Sequence, residues 1–212
     1  MAKEIQRCAS VGNSFNRGLE IYKKNFAPLL VATLLANLIG GVTCGICSAP
    51  LTCGVFAMVL VALRGGGAIQ IGDVFKGFQK FAPAFVSVLV LAIIGQVVSL
   101  LLMLVPGVGL LLSIASSFVI AGVISWATLI VTDQDASIGE AIGKPLKLLG
   151  VNRFWSFVLV SLVAEILGSL GILVCGIGVI VTFPFSYCMI AAAYEEMISG
   201  EAAAPAAEPA VS

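Results

Sequence analysis

Glu165 is the only carboxylate in three long stretches, 26–63, 82–132 and 154–194, that otherwise contain no Lys, Arg, Asp or His. A carboxylate set in that much apolar sequence can hold a proton, a cation or a polar solute, or it can tie helices together by hydrogen bonds. Ser161 and Ser169 lie four residues to either side of it and continue a polar stripe along one helix. Asn37 and Gln96 hold matching places in the first two stretches. Each of the three polar residues lies eleven positions after an aromatic at a helix start: Phe26, Phe85 and Phe154. Asn37, Gln96, Glu165, Ser161 and Ser169 therefore form a candidate polar site at mid-membrane. The competing reading is interhelical packing through small and hydroxyl-bearing residues.

Cys44-Gly-Ile-Cys47 is the second candidate. Two thiols at this spacing can cycle between dithiol and disulfide, and a redox pair fits the outward turn of a membrane hairpin. Against that, no cation lies beside the pair to lower a thiol pKa, and Cys also packs as a small apolar residue. The Arg64-Gly-Gly-Gly67 segment lacks the Lys-Ser/Thr of a phosphate-binding loop and reads as a connector at a helix end. The chain contains no His. The usual general base near neutral pH and the commonest zinc ligand are both missing. No catalytic group, metal or cofactor is expected.

The elements that must position these residues follow from composition. The chain has 212 residues, of which 60% are hydrophobic and 10% charged, against about 25% charged in soluble domains. As helices the three apolar stretches would measure roughly 57, 77 and 62 Å, too long for one crossing of a core about 30 Å thick and near the length of two. The reading is an all-α polytopic membrane protein with six transmembrane helices at about 26–43, 49–63, 82–104, 110–132, 154–174 and 178–196. They pair as hairpins 26–63, 82–132 and 154–196 within a membrane domain, 26–197. Residues 1–25 are expected to carry an interfacial amphipathic helix, and 198–212 an Ala/Pro tail without fixed structure. Two further interfacial helices are expected over Asp73–Phe81 and Ile138–Leu149. Val74, Phe75, Phe78 and Phe81 would share one side of the first of these, with Lys76 and Lys80 on the other. All eleven Lys and Arg fall in 1–24, 64–80 and 144–153, none in the hairpin turns. The positive-inside rule then places both termini and both long loops in the cytoplasm.

Interfacial helix plus hairpin recurs three times and suggests an internal repeat. Residues 10–19 align with 137–146, Phe26-Ala-Pro28 echoes Phe81-Ala-Pro83, and the turn Pro106-Gly-Val-Gly109 matches Cys175-Gly-Ile-Gly178. Gly41 and Gly45 make a GxxxG spacing suited to close helix contact. Pro184, inside the last helix, should bend it.

Gly72-Asp-Val-Phe-Lys-Gly-Phe78, the PGVG turn, Ile138-Gly-Glu-Ala-Ile-Gly-Lys-Pro-Leu146, and Gly176 to Pro184 leading into Ala193-Tyr-Glu195 resemble a group of uncharacterised bacterial integral membrane families. That group includes the membrane domain joined to some glycerophosphoryl diester phosphodiesterases. The resemblance is to the membrane part alone and transfers no catalytic residue. It implies a multi-pass protein of the bacterial inner (plasma) membrane.

The function expected is non-enzymatic: membrane organisation, lipid interaction or scaffolding of a partner. The alternatives are a small transporter or channel around Glu165 and, more remotely, a thiol oxidoreductase using Cys44 and Cys47. The bilayer is the expected partner, with a second copy or another membrane protein beside it, and no nucleic acid.

Overall fold

The run Cys188-Met-Ile-Ala-Ala-Ala-Tyr194 is apolar on every side, and a helix of that kind belongs inside a bundle. In the computed structural model all seven residues are at most 1% exposed. The structure describes residues 11–66, 69–134, 151–171 and 178–202. These form seven α-helices and one 3-10 helix, with no strand among the described residues. The helices are α1 Val11–Lys24, α2 Phe26–Val42, α3 Ser48–Leu63, the 3-10 helix Ile71–Lys80, α4 Phe81–Met103, α5 Gly109–Gln134, α6 Val151–Leu170 and α7 Gly178–Ala202. The third expected interfacial helix, residues 172–177 of the Cys175 turn and the tail from 203 lie outside the described residues; 198–202, expected to begin the tail without fixed structure, instead continue the last helix.

Helix α7 is the hub. It packs against α1, α3 and α6, and touches α2 and α5. Leu29, Leu51, Phe56, Leu129, Ile130 and Phe157 close around it. Trp126 sits edge-on to both Phe157 and Tyr194, with ring centroids 4.5 and 5.1 Å away. Helices α4 and α5 pack chiefly against each other, and their turn projects beyond this core. Leu101, Leu104 and Leu111 near the turn are 64, 76 and 69% exposed.

Six helices lie close to the expected ranges, but six crossings do not follow from them. Ile71–Met103, which includes α4, and Gly109–Asp133 are long and apolar enough to span a membrane. A third span results only if α1 and α2, bent by 95° at their junction, count as one. Helices α2 and α3 have 17 and 16 residues, short of the roughly 20 that a bilayer core requires.

The expected interfacial role of α1 changes as well. Its apolar side faces protein: Phe15 and Tyr22 pack on Phe185, and a Cβ added at Gly18 would stand 2.9 Å from the Met189 Cα. The Tyr22 hydroxyl donates to the Val181 carbonyl at 2.8 Å, while Asn13 and Ser14 donate to Glu196 at 3.3 Å. Thus α1 runs antiparallel along α7 from Glu196 to Val181. Its other side, with Asn16, Arg17, Glu20, Lys23 and Lys24, is exposed. Pro184 remains inside α7, where it withholds the N–H that the Ile180 carbonyl would otherwise accept. Tyr22 meets the next carbonyl along.

Residues 71–80 repeat every three positions, and this overturns the expected face assignment. In a 3-10 helix, residues i and i+3 eclipse. Val74, Gly77 and Lys80 face inward, while Phe75, Phe78 and Phe81 form an outer row that Phe85 continues. Gly77 fits against the Pro50 carbonyl and Gly54 against the Val74 carbonyl, so that a Cβ on either glycine would overlap backbone. Lys80 reaches the end of α5, where its Nζ donates to the Val131 and Thr132 carbonyls at 3.2 and 2.6 Å. At the other end, the Lys76 ammonium and the Gln70 N–H hold the Asp73 carboxyl below its ordinary value. That support is present at neutral pH and is lost as pH falls through the lowered value. The leading elements of the first two expected repeat units thus differ: an α-helix set across its hairpin in one, a 3-10 helix running into it in the other.

Arg64 joins the ends of α3 and α5 to α7. It caps α3, and its guanidinium binds Asp133 at 2.6 and 3.1 Å and Glu195 at 2.9 and 3.2 Å. Tyr194 adds a hydrogen bond to Asp133 at 3.2 Å. These two hydrogen-bonded carboxylates raise the Arg64 pKa further. Arg64→Met takes the guanidinium away from both acids, whose side chains are 14 and 18% exposed. With Arg64 itself half in water, the expected loss is about 1–2 kcal/mol, read as a lower thermal midpoint in detergent. Arg64→Lys, a point charge without the fork, should fall between. An unchanged midpoint for Arg64→Met would show that the cluster holds nothing together.

Candidate functional site

The five residues expected to form one mid-membrane site are not brought together. Gln96 is exposed on the projecting α4 and makes no hydrogen bond among the described residues. Helices α2, α4 and α6, which carry Asn37, Gln96 and Glu165, do not pack on one another. Along α6, Ser161 is buried against Gly122, Glu165 is half-buried and Ser169 is exposed. The cause is helical pitch: at 3.6 residues per turn, each step of four advances about 40° around the axis. The Ser161 hydroxyl has no partner among the described residues, whereas Ser169 donates to the Glu165 carbonyl at 2.8 Å.

One of the five, Asn37, does share a cavity with a residue that sequence reasoning did not single out. Tyr187 on α7 stands edge-on to Phe56 of α3, with ring centroids 5.3 Å apart. On its other side, Tyr187 lines a cavity of about 180 Å³ with Asn37, Gly40, Ser48, Thr52 and Val55. The signal for Thr52 was available in its four-residue spacing from Ser48. Tyr187 carries no such mark, because a Tyr in an apolar run looks like any other aromatic.

A second cavity, of about 310 Å³, lies between α3 and the 3-10 helix. Its polar lining is Gln70, Asp73 and Lys76, with Met58, Val61 and Ile69 as the apolar part. Asp73 and Lys76 there are already paired at 2.7 Å. No group of three or more Cys, Asp or Glu suited to a metal ion occurs among the described residues.

Cys44 and Cys47 are free thiols in the turn between α2 and α3, the first exposed and the second half-buried. Cys44 holds a left-handed backbone, φ 51°, which costs an L-residue about 1–2 kcal/mol. Gly41 does not supply the close helix contact its spacing suggested, since nothing lies within 4 Å of where its Cβ would be. Gly40 instead rests on Ser48, within the same hairpin.

Compared with known proteins, the chain matches no family model, no curated protein and no solved structure.

The exposure of the thiols sets an order of modification. With a water-soluble maleimide and peptide mass spectrometry, Cys44 should label first and Cys47 more slowly. Cys53 and Cys188, both buried, should label only on unfolding. A Cys44–Cys47 disulfide that reforms after reduction and exposure to an oxidised quinone would support the oxidoreductase alternative. Stable free thiols under the same treatment would count against it.

Proposed function

We propose that this protein is a non-enzymatic integral membrane component that organises lipid, or holds a partner within it, through its central hairpin. The observation that carries the reading is the unpartnered apolar surface of α4 and α5. Leu89, Ile93, Ile94, Val97, Leu100 and Leu101 are all exposed along α4, and Leu110, Leu111 and Ile114 along α5. Soluble monomers rarely expose contiguous apolar patches beyond a few hundred Å². Helix α4, with 23 residues, is about 35 Å long and matches the bilayer core. The outer row Phe75, Phe78 and Phe81 stands at its base, where aromatic side chains suit the interface.

In the finer arrangement, three hairpins root on one face and only α4–α5 crosses fully. The Arg64–Asp133–Glu195 cluster supports the common face, because it gathers the end of α3, the end of α5 and the charged part of α7. The exposed polar side of α1 keeps α7 level with headgroups from Val181 to Glu196. The α6–α7 hairpin is then shallow, and α2–α3 enters only part-way. Counting Lys and Arg places the rooted face, with both termini, on the cytoplasmic side of a bacterial inner membrane. Gln96 supports a second copy as partner, since a side-chain amide on a lipid-facing helix gains from an interhelical hydrogen bond. A solute path through the protein would need Asn37, Gln96 and Glu165 to line one space, and Gln96 lies away from the others.

Ile94→Arg separates lipid from water as the medium of the hairpin. In lipid, the new charge costs about 2.5–3.5 kcal/mol, and membrane-inserted protein should drop sharply in a carbonate-washed pellet. In water, a change at an exposed site stays within about 0.5 kcal/mol. Full insertion and unchanged yield would sink the proposal.

A further inference from the structure

Gln96 is exposed on α4 and has no hydrogen-bond partner among the described residues. On the membrane reading it lies about 22 Å along α4 from Phe81 and about 10 Å short of Met103, inside the hydrocarbon core. Its amide carries two N–H donors and a carbonyl acceptor, and lipid tails satisfy none of them. Its place on the helix surface is as particular as its depth. Phe85, Leu89, Ala92, Gln96, Ser99 and Met103 follow one another at steps of 4, 3, 4, 3 and 4 residues, the heptad spacing of a helix–helix seam. Leu89, Ala92, Gln96 and Met103 are exposed, while Phe85 and Ser99 are half-buried at the edge. Gly95, which packs against Ile120 of α5, points about 100° away from Gln96. The seam thus runs beside the α4–α5 contact and is not used by it.

We propose that two copies of the protein pair in parallel through this seam, α4 against α4, with Gln96 bonded to Gln96. The inference rests on the membrane reading and gives the second-copy partner in it a surface, an orientation and a register. Copies inserted the same way round relate by a twofold axis along the membrane normal, so each seam residue meets its own counterpart at the same depth. An amide is its own electrostatic complement. The positive end of each N–H faces the negative oxygen of the other amide, and two reciprocal hydrogen bonds form. Ala92 and Ser99, one turn to either side, carry no bulk to hold the backbones apart. A polar residue at one heptad position also fixes the register, because a slip sets both amides against apolar side chains. The rest of the exposed face offers nothing comparable: Ile94, Val97 and Leu101 are bulky and apolar, suited to lipid. A different membrane protein would need an amide at this depth, whereas a second copy always brings one.

Protein labelled at the exposed Cys44 with donor or acceptor dye is reconstituted in phosphatidylcholine vesicles over a range of protein-to-lipid ratios. The expected result is energy transfer above random mixing that rises saturably with that ratio and is linear in the acceptor fraction, as a pair requires. Gln96→Leu should weaken pairing by about tenfold, the effect of losing hydrogen bonds between membrane helices. Ala92→Ile, which keeps the amide and adds bulk beside it, should weaken pairing by a similar factor, about tenfold. Ile94→Val, on the lipid side of α4, should leave it unchanged. Gln96→Leu makes the helix more apolar, so pairing lost in that variant does not come from lost insertion, and a carbonate-washed pellet checks this. Transfer at the level of random mixing, a curved dependence on acceptor fraction, or wild-type pairing in either Gln96→Leu or Ala92→Ile overturns the proposal. Wild-type protein released by carbonate overturns the membrane reading and the pair together. Protein that stays inserted as a monomer refutes the seam alone.

Discussion

Arg64 is where the three hairpins meet. It follows directly on the first apolar stretch, and its two partners, Asp133 and Glu195, follow directly on the second and third. Asp133 stands in the last turn of α5, where the helix dipole disfavours a carboxylate. Lys80 lies beside it on the last carbonyls of the same helix, and Arg64, capping α3, supplies the planar fork. A guanidinium can bind two carboxylates at once because its five donors lie in a plane with fixed directions. Each chain segment that leaves the apolar interior is therefore anchored to another that has done the same. Removing the fork leaves the core residues unchanged but takes away what holds the ends of α3 and α5 in register with α7.

The importance of such links follows from the medium. Where lipid surrounds a helix, moving an apolar side chain from lipid into protein gains little, because lipid tails are as apolar as leucine. Helix pairing is then decided by how closely backbones approach and by the polar contacts they make. Gly54 and Gly77 let α3 and the 3-10 helix touch backbone to backbone, and Gly18 does the same for α1 and α7. The α4–α5 hairpin meets the bundle through α5, where Gly122 rests against Ser161 of α6, and beyond that contact it projects. Its freedom and the tightness of the core are two outcomes of one rule.

Much of the helical layout was legible in the sequence, because charge-free runs, glycine turns and flanking charges are local signals. The bounds of α2, α3, α4 and α5 follow from them to within one or two residues. Three features were not legible. The periodicity that set Phe75, Phe78 and Phe81 apart from Val74 was three rather than 3.6, and a short segment fits both. The apolar side of α1 looked ready for lipid because nothing local says that α7 covers it. The equal spacing of Asn37, Gln96 and Glu165 from their aromatics gave depth along each helix and not direction around it, so Gln96 faces outward on α4 while Asn37 lines a cavity with Tyr187. The charge triad could have been found, since Arg64, Asp133 and Glu195 each terminate an apolar stretch and carry opposite signs.

The same solvent rule explains why a polar cavity here presents acceptors. On a helix in apolar surroundings, a hydroxyl satisfies its hydrogen by donating back to a carbonyl three or four residues earlier. Thr43, Thr52, Ser117, Thr128, Thr132, Ser169 and Ser186 all do so. Each such bond turns a group that could donate or accept into one that only accepts. Where several converge, as Ser48 and Thr52 do beside Asn37 and Tyr187, their lone pairs line the wall together with the second Asn37 N–H and the Tyr187 hydroxyl. The acceptor character of Ser48 and Thr52 thus follows from how the helices satisfy their own hydroxyls, before any ligand is considered.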